Sequence, residues 1–475
     1  MSQRHVVVIG AGAAGLTAAI RAGEAGARVT LLNAHPRVGL KILMSGGTRC
    51  NVTHARVGEQ DYFGGSRHVI ARILRAFPPG RTLEWFRDDL GVPLKLEETG
   101  KYFPVSDDAQ TVLDALLAAC ARAGAEVRGG ARAVRLEQVE GDAGGEAGGD
   151  AGGNADRYLD VGADRSTAQQ RPVSAAPGAA RTRFRVGVQR IADSAALGSA
   201  VAPSGQLAWP LPEIAPDEWL DADAVIVATG GLSFPRTGSD GTGYALLTSL
   251  GHTLVPPVPA LTPLASPDPF CMGARGVTVH AALTLWVDGR KQQTCEGSLL
   301  FTHFGVSGPV ALDLSRHWHR AEGHARRVTI NFLPGFSPEA LADEWIAAGE
   351  RRSGRGSRSF LGARLPERIA DMLTAESGLG GVAMSQTPKA RRAQMLRLVV
   401  ERELEVTGTL GYEKAEVTAG GVPLAEVDAS TLESRVAPGL FLCGEVLDVE
   451  GRLGGFNFQW SWSSGTVAGR AAAKK

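Results

Sequence analysis

Apolar positions in the first 33 residues predict a β-α-β unit. A continuous apolar run over His5–Ile9 is followed by a glycine turn, an Ala-rich helical pattern over residues 13–25 and a second apolar run over residues 28–32. Parallel strands joined by a crossover helix are the usual start of a doubly wound α/β domain. We therefore expect an N-terminal parallel sheet of the Rossmann type.

Hydrophobic periodicity divides the rest of the chain into three further parts. Helical patterns (68–77, 82–90, 108–123) and strand patterns (101–104, 131–137, 184–188, 224–228) continue the first domain. Short alternating apolar runs follow, then mostly helical signals, and finally a strand, a glycine-rich turn and a helix. We predict a discontinuous first domain (1–252 and 408–475) interrupted by an inserted β domain (253–335) and an inserted helical domain (336–407).

Residues 141–181 differ in composition from the rest of the first domain. Gly-Gly pairs alternate there with Ala, Asp and Glu, and then give way to Ser, Gln and Pro without apolar periodicity. Such a segment cannot bury enough apolar surface to offset the entropy of ordering. We predict a disordered insertion within a hairpin connection.

Charge and cysteine content narrow the classes of partner and compartment. Lys plus Arg and Asp plus Glu each total 50, so no net field attracts a phosphate backbone, and nucleic acid is not an expected partner. The five cysteines form no C-x-x-C pair and no metal-ligand spacing, which favours a reducing cytoplasm and no metal. No apolar run is long enough to cross a bilayer. We expect a soluble cytoplasmic protein that acts on a small molecule, and nothing in the pattern selects an oligomeric state.

The glycine turn after the first strand has the spacing of a dinucleotide-binding turn. Gly10, Gly12 and Gly15 permit a tight turn, close approach of a pyrophosphate and close helix packing, while Ala13 and Ala14 open the helix. Phosphates bind readily at such a helix N-terminus, because its first amides have no partner within the helix. The alternative is a plain tight turn.

Asn33 ends the second strand, where an acidic residue normally binds the adenosine ribose. Its amide oxygen can still accept one hydrogen bond, without the strength that a carboxylate would give. In the alternative interpretation Asn33 only starts a turn.

A glycine-containing loop over residues 39–53 presents Leu40, Lys41, Gly46, Arg49 and Asn51. Its donors suit pyrophosphate oxygens and the polar edge of an isoalloxazine ring. A structural Ω-loop is the alternative, with Cys50 a small buried apolar residue and not a nucleophile.

Two later strands end in glycine turns that would meet the first. The strand at 224–228 ends at Thr229-Gly230, and the strand near the C-terminus ends at Gly444-Glu445, followed by Asp448. The sequence Gly455-Phe456-Asn457-Phe458 then opens the last helix. Free amides at that N-terminus would face the flavin N1 and C2 carbonyl, where negative charge collects on reduction.

These segments together resemble the BaiN/RdsA-type NAD(P)/FAD-dependent oxidoreductases, also described as YhiN-like flavoproteins or the aminoacetone oxidase family. The resemblance covers nearly the whole chain. It depends on four motifs: SGGTRCNVT from Ser45, ATGGLS from Ala228 with TGSDG from Thr237, FTHFGVSGP from Phe301, and CGEVLD from Cys443 continuing into GGFNFQWSWSSG from Gly454.

The resemblance implies a glutathione-reductase-like FAD-binding domain with an inserted β-barrel-like and helical domain. It implies FAD contacts from six positions: Ala14, Asn33, Lys41, Val134, Glu445 and Phe458. The chain departs from the family pattern at Asn33, where a Glu is usual, and at Thr48, where a third loop glycine is usual.

His303 is the one histidine in a motif-like setting, and its imidazole could supply a proton near neutral pH. A histidine that only caps a turn is the alternative. The favoured chemistry is hydride transfer from NAD(P)H through flavin N5 to an unsaturated or carbonyl-conjugated small molecule. An oxidase of a small amine or alcohol and a non-catalytic flavin-bearing binding protein are the other two hypotheses. Only one G-x-G-x-x-G turn is present, so NAD(P)H would dock transiently.

Overall fold

The computed structural model describes residues 3–140, 182–192, 214–351 and 356–474. The predicted insertion at 141–181 lies outside these residues. The strands are β1 His5–Ile9, β2 Arg28–Asn33, β3 Thr53–His54, β4 Tyr62–Gly64, β5 Leu94–Leu96, β6 Lys101–Pro104, β7 Ala125–Gly129, β8 Ala131–Glu140, β9 Thr182–Arg190, β10 Glu218–Ala222, β11 Ala224–Val227, β12 Val255–Ala260, β13 Leu264–Ala265, β14 Thr278–Val287, β15 Arg290–Thr302, β16 Gly305–Ser307, β17 Arg326–Asn331, β18 Arg402–Leu404, β19 Gly408–Thr409, β20 Val417–Gly421, β21 Leu440–Leu442 and β22 Val449–Gly451. The helices are α1 Ala13–Glu24, α2 Leu40–Met44, α3 Arg67–Ala76, α4 Pro79–Glu84, α5 Ala109–Arg122, α6 Thr242–Ser249, α7 Pro269–Gly273, α8 Pro309–Arg320, α9 Pro338–Arg351, α10 Ser357–Gly362, α11 Glu367–Ser377, α12 Lys389–Val400 and α13 Phe456–Ala472.

A parallel sheet of five strands carries the first domain, in the order β21-β11-β1-β2-β7. Its central strands are continuous apolar runs, as expected for strands buried on both faces. The C-terminal strand β21 pairs with β11, which in turn pairs with β1. Both ends of the chain therefore build one sheet, and the predicted α/β fold with a Rossmann-type unit is confirmed.

The first and last helices pack directly against each other. A Cβ atom added to Gly465 would lie 2.5 Å from the Ala14 carbonyl oxygen, and one added to Gly469 would lie 2.4 Å from that of Ala18. Only glycine fits at these two positions of α13, because the backbone of α1 occupies the space that a side chain would need. This contact fixes the C-terminal helix over the glycine turn.

A second core lies in the middle of the chain. The antiparallel sheet there has seven strands, in the order β18-β17-β14-β15-β16-β13-β19. Its apolar cluster is drawn from residues between Leu264 and Leu404 and includes helical residues such as Trp345 and Phe360. The inserted β and helical parts thus share one apolar core. The division at residues 253, 336 and 408 stays a prediction.

Two strands carry the chain between the cores. The strand β12 leaves the first core, and β20 returns to it, paired antiparallel with β12. A small apolar cluster of Ala260, Leu261, Val417 and Ala419 forms around this pair, with Leu453 packed against it. The connection between the two cores is therefore a pair of hydrogen-bonded strands with its own small apolar cluster.

Two predicted segments differ in detail from the structure. The predicted loop at 39–53 contains the short helix α2, which begins after Gly39 in a left-handed conformation (φ 71°). The predicted helix at 82–90 is α4 continued by a π-helical turn over Trp85–Asp89. None of the described helices is long and apolar enough to cross a membrane. The cytoplasmic location stays a prediction.

Candidate functional site

A cavity of about 460 Å³ opens where the parallel strands β1, β2 and β11 end. Its wall continues along the loop after α2 to the N-terminus of α13 and to β20. Sixteen of the predicted cofactor-binding residues line it: Gly10, Gly12, Ala13, Ala14, Asn33, Leu40, Lys41, Gly46, Arg49, Asn51, Thr229, Gly230, Glu445, Gly455, Asn457 and Phe458. The structure thus brings together segments from both ends of the chain.

The three glycines of the first turn have the steric roles that their spacing predicts. A Cβ atom on Gly10 would lie 2.4 Å from the Ala228 carbonyl oxygen, and one on Gly15 would lie 1.7 Å from that of Gly10. A Cβ atom on Gly12 would have no atom within 4 Å. Two glycines therefore permit close packing, and Gly12 leaves free space on the cavity wall.

The N-terminus of α1 faces this cavity without a competing anion. Gly12 caps the helix with no side-chain hydrogen bond, and the first turn contains no acidic residue. The first amides of a helix have no partner within it, and together with the helix dipole they favour a negatively charged group. The geometry fits a diphosphate held against Gly12.

Asn33 contributes to the same turn through its amide. The oxygen accepts a hydrogen bond from the Ala11 amide (3.2 Å), and the amide nitrogen donates to the His35 carbonyl (2.6 Å) and the Arg37 carbonyl (3.2 Å). One lone pair of the amide oxygen remains for a ribose hydroxyl. Asn33 thus holds the turn while it lines the cavity, and its ribose contact stays a prediction.

Lys41 and Glu445 connect the two halves of the site. The Lys41 ammonium donates to Glu445 (3.0 Å) and to the Ser233 hydroxyl (2.7 Å). Glu445 also accepts from Ser233 (2.9 Å) and from the Thr418 amide (2.8 Å). Both charged groups are partly buried, with side-chain exposures of 23% and 18%. This network fixes the helix α2 against the turn that follows β21.

Arg49 and Asn51 hold the loop between α2 and β3. The Arg49 guanidinium lies over the Phe103 ring, 3.9 Å from its centre, and pairs with Glu97 (2.6 Å). In the amide orientation that satisfies both of its polar atoms, Asn51 donates to the Thr53 carbonyl (3.1 Å) and accepts from the Gly455 amide (3.0 Å). The loop is therefore attached to the N-terminus of α13.

Cys50 is fully buried in this loop, and burial raises the pKa of its thiol to about 12. A thiol with such a pKa carries almost no thiolate at neutral pH. This burial agrees with the alternative interpretation in which Cys50 is a small buried residue of a structural loop. The contact of this loop with a cofactor stays a prediction.

Two buried tryptophans fix α13 to the cavity loops. The Trp460 indole donates to the Gly444 carbonyl (3.1 Å), and the Trp462 indole donates to the Val52 carbonyl (2.8 Å). Both side chains are almost fully buried. The C-terminal helix therefore closes one side of the cavity and holds both adjoining loops in place.

Five of the predicted site residues do not line the cavity: Gly15, Val134, Gly444, Asp448 and His303. Gly444 packs against Ala14 and accepts from Trp460, and Asp448 is buried away from the cavity. Val134 lies at a bulge of β8, next to the cavity residues Arg132 and Ala133. His303 is exposed on the turn between β15 and β16, so the geometry gives no support to its predicted catalytic role.

The family model for the HI0933-like protein Rossmann domain matches residues 4–147 and 212–471. The chain belongs to the HI0933-like family. A relative from Clostridium scindens, a 3-dehydro-bile acid delta(4,6)-reductase, is 30% identical over 99% of this chain and 99% of its own length. The ribosomal RNA dihydrouridine synthase of Escherichia coli is 28% identical over 98% of this chain and 96% of its own length.

Among solved structures, the open conformation of a flavocytochrome c3 fumarate reductase aligns with a TM-score of 0.44. That alignment has 15% sequence identity and covers 99% of this chain and 78% of the reductase. Membership of the HI0933-like family makes this chain an FAD-dependent oxidoreductase. The free space at Gly12 and the uncapped α1 fit the diphosphate of FAD.

Several cavity residues of this HI0933-like chain were not predicted from the sequence. Arg132 forms a buried ion pair with Asp240 (2.6 Å) and donates to the Thr242 hydroxyl (2.7 Å) at the end of the cavity near the glycine turn. The TGSDG motif contained Asp240, but no local pattern joined it to β8. Near α13 the additional lining residues are Lys101, Phe103, Leu261, Glu416, Val417, Leu453 and Ser461.

Proposed function

We propose that this chain reduces a carbon–carbon double bond conjugated to a carbonyl group in a small organic molecule, with NAD(P)H as the hydride source. The observation that carries the proposal is the composition of the cavity near α13. Leu261, Val417 and Leu453 form an apolar wall there, and Glu416 and Lys101 place two charged groups beside it. An apolar site with few polar groups suits a small, largely apolar substrate that carries a polar carbonyl.

The names of two relatives favour this reaction class. One relative is a reductase of a 3-dehydro-bile acid, and the other is a dihydrouridine synthase. In chemical terms, both names describe saturation of double bonds in a ring that also carries a carbonyl group. We propose the same reaction class for this chain. We do not propose that it acts on either of the two named substrates.

Residues at both ends of the cavity would hold the cofactor. The glycine turn and Asn33 would hold the adenosine diphosphate, and Lys41 with Glu445 would lie along the middle of the cavity. The N-terminus of α13 at Gly455 would face the flavin. When bound, FAD supplies a ring that accepts and releases hydride at N5.

The test starts from the purified, FAD-loaded protein under anaerobic conditions. NADPH and NADH are titrated separately while the visible flavin spectrum is recorded. The reduced protein is then mixed with a 4-en-3-one steroid, cyclohexenone, uridine, a uridine-containing RNA oligonucleotide, or oxygen. We expect bleaching by at least one nicotinamide and rapid reoxidation by at least one small enone.

Two results would contradict the proposal. Reoxidation by oxygen alone, with a small amine or alcohol as the better reductant, would identify an oxidase. Reoxidation by the RNA oligonucleotide without reaction of any small enone would show a nucleic-acid substrate, which the balanced charge of the chain does not lead us to expect.

A further inference from the structure

Glu416 stands directly before β20, at the point where the chain returns from the second core. Its amide donates to the Leu261 carbonyl (3.2 Å). The next residue, Val417, pairs with Ala260 across the two connecting strands. The Glu416 backbone is therefore fixed on both sides, while its side chain projects from the strand pair.

The Glu416 side chain lines the cavity and has no partner in the part of the chain that the structure describes. Other carboxylates at or near this cavity are held: Glu445 by Lys41, Asp240 by Arg132, and Asp313 by the Leu453 amide (2.9 Å). Although the Glu416 side chain is exposed, the surface that it exposes faces the cavity. A carboxyl group placed in this way is free to contact a ligand.

Lys101 contributes the second charge of this region. It lies on β6, lines the same cavity, and forms no ion pair with any residue that the structure describes. Unpaired charges on a cavity wall cost solvation energy once a ligand displaces water, unless the ligand contacts them. The presence of Glu416 and Lys101, without partners among the described residues, beside the apolar wall therefore indicates that the substrate carries a polar group that contacts them.

The pKa of the Glu416 carboxyl group is raised by its surroundings. The surrounding protein limits hydration of the carboxylate and raises its pKa, the Lys101 ammonium opposes this rise, and the Asp313 carboxylate adds to it. Asp313 lies on α8 of the second core and its own pKa is raised by burial. The charged groups that act on Glu416 therefore come from two elements, β6 and α8.

The backbone conformation of Leu261 is an independent observation that also indicates a ligand site beside Glu416. It lines the cavity beside Glu416 and has φ of 52°, a left-handed conformation that is unfavourable for a branched side chain. Backbone strain of this kind persists only where the surrounding structure imposes it, and it concentrates at ligand sites. The strained residue accepts the hydrogen bond that fixes the Glu416 amide.

We propose that Glu416 is the acid that protonates the substrate during double-bond reduction, and that Lys101 binds the substrate carbonyl oxygen. This assignment rests on the proposed function. A reduced flavin held in this cavity would supply a hydride, with its electron pair, to the β-carbon and would be oxidised in turn. The π electrons of the double bond form the second C–H bond at the α-carbon with the proton of Glu416. Water then reprotonates the Glu416 carboxylate, and the substrate has gained two electrons and two protons.

The test compares Glu416→Gln with Glu413→Gln, an exposed glutamate of the same segment that does not line the cavity. Each variant is loaded with FAD, reduced with NAD(P)H and mixed by stopped flow with the enone that oxidises the wild type. Loss of a positioned acid costs about 10² to 10⁴ in rate. We expect Glu416→Gln to be at least about 100-fold slower than wild type with the enone. Glu413→Gln should match the wild type.

Ferricyanide distinguishes proton delivery from a damaged flavin site. It removes electrons and forms no C–H bond, so Glu416→Gln should reoxidise with ferricyanide at the wild-type rate. Equal enone rates in Glu416→Gln and wild type would overturn the assignment and leave the proposed function intact. If the wild-type protein reduces no enone, both the assignment of Glu416 and the proposed function are contradicted.

A second measurement does not depend on turnover. The FAD-loaded protein labelled with ¹³C at the glutamate carboxyl carbon is titrated by NMR, and the Glu416 signal is assigned by its absence in Glu416→Gln. If that variant does not hold FAD, Glu416→Asp serves for the assignment. We expect this signal to titrate above the usual glutamate range and to move higher still in Lys101→Met. A signal that titrates in the usual range would contradict the role of Glu416.

Discussion

Backbone strain concentrates in residues around the cavity. Thr48, Cys50, Phe234 and Leu261 all have positive φ, between 50° and 69°, although none is glycine. Two of them line the cavity and the other two lie in the loop that attaches to α13. Thr48 has a left-handed backbone conformation that glycine adopts at lower cost, so the chain accepts strain at this position. Tertiary packing therefore imposes a backbone conformation on these residues that their own side chains disfavour.

Lys41 gives a prediction at the scale of one residue. Its ammonium has three N–H donors, of which Ser233 and Glu445 occupy two, so one remains for a ligand in the cavity. We expect Lys41→Met to raise the Kd for FAD about 10- to 100-fold, because a hydrogen bond to a charged group contributes about 1.5–3 kcal/mol. Fluorescence quenching on flavin-free protein measures this constant.

The control for this experiment is Lys414→Met, which removes an exposed lysine that does not line the cavity. It should bind FAD as the wild type does. A Kd unchanged in Lys41→Met would show that Lys41 only fixes Glu445 and does not contact the cofactor.

At the scale of elements, the contact between α1 and α13 decides the shape of the cavity. The first helix presents its N-terminus to the cavity, and the last helix holds both adjoining loops through Trp460 and Trp462. Their close crossing depends on Gly465 and Gly469. A change in that crossing would move both helix N-termini relative to each other.

Gly465→Ala tests this crossing. The new methyl group would lie 2.5 Å from the Ala14 carbonyl oxygen, so the helices must separate. We expect a loss of about 1–3 kcal/mol in the free energy of unfolding, as for other overpacked positions. Denaturant unfolding monitored by circular dichroism measures it. In Gly362→Ala, where the added Cβ atom meets nothing within 4 Å, stability should be unchanged or slightly higher. Similar values for the two variants would argue against the tight crossing.

At the scale of the whole molecule, a buried ion pair joins the two cores. Arg316 on α8 contacts Glu450 on β22 (2.5 Å), and the Glu450 side chain is 2% exposed. Burial raises the pKa of Glu450 to about 7, Asp448 adds to the rise, and Arg316 opposes it. The attachment between the cores therefore contains a carboxyl group that titrates near neutral pH.

The sign of the resulting pH dependence follows from the raised pKa. Glu450 binds its proton more tightly in the folded protein, so its contribution to stability is complete at acidic pH and is lost as pH rises through about 7. In Glu450→Gln this loss should be absent. The difference between the unfolding free energies of wild type and Glu450→Gln should change by about 2 kcal/mol between pH 5 and 8. Denaturant titrations at several pH values measure it.

Glu405→Gln, which changes an exposed glutamate, controls for the removal of a negative charge. Its stability should follow the wild type at each pH. Parallel curves for wild type and Glu450→Gln would show that Glu450 stays ionised beside Arg316 throughout this range.

Local sequence was sufficient for the first strand, the glycine turn and the C-terminal turn and helix. Each of these elements depends on residues that are adjacent in the sequence, because the spacing of glycines and apolar positions there favours one backbone conformation. The helix α2 and the π-helical turn after α4 were not foreseen. Short helices gain too little from their own hydrogen bonds to leave a clear pattern, and tertiary packing stabilises them.

The amino-acid sequence by itself determined the Rossmann-type unit, the dinucleotide turn and the meeting of the two chain ends, because these follow from periodicity and from glycine sterics. Tertiary structure alone decided that Arg132 pairs with Asp240, that Glu416 and Lys101 share one cavity, and that His303 lies outside it. Contacts between charged groups far apart in the chain leave no periodic signal. They exist only once packing has brought the strands together, and their strength depends on the burial that packing creates.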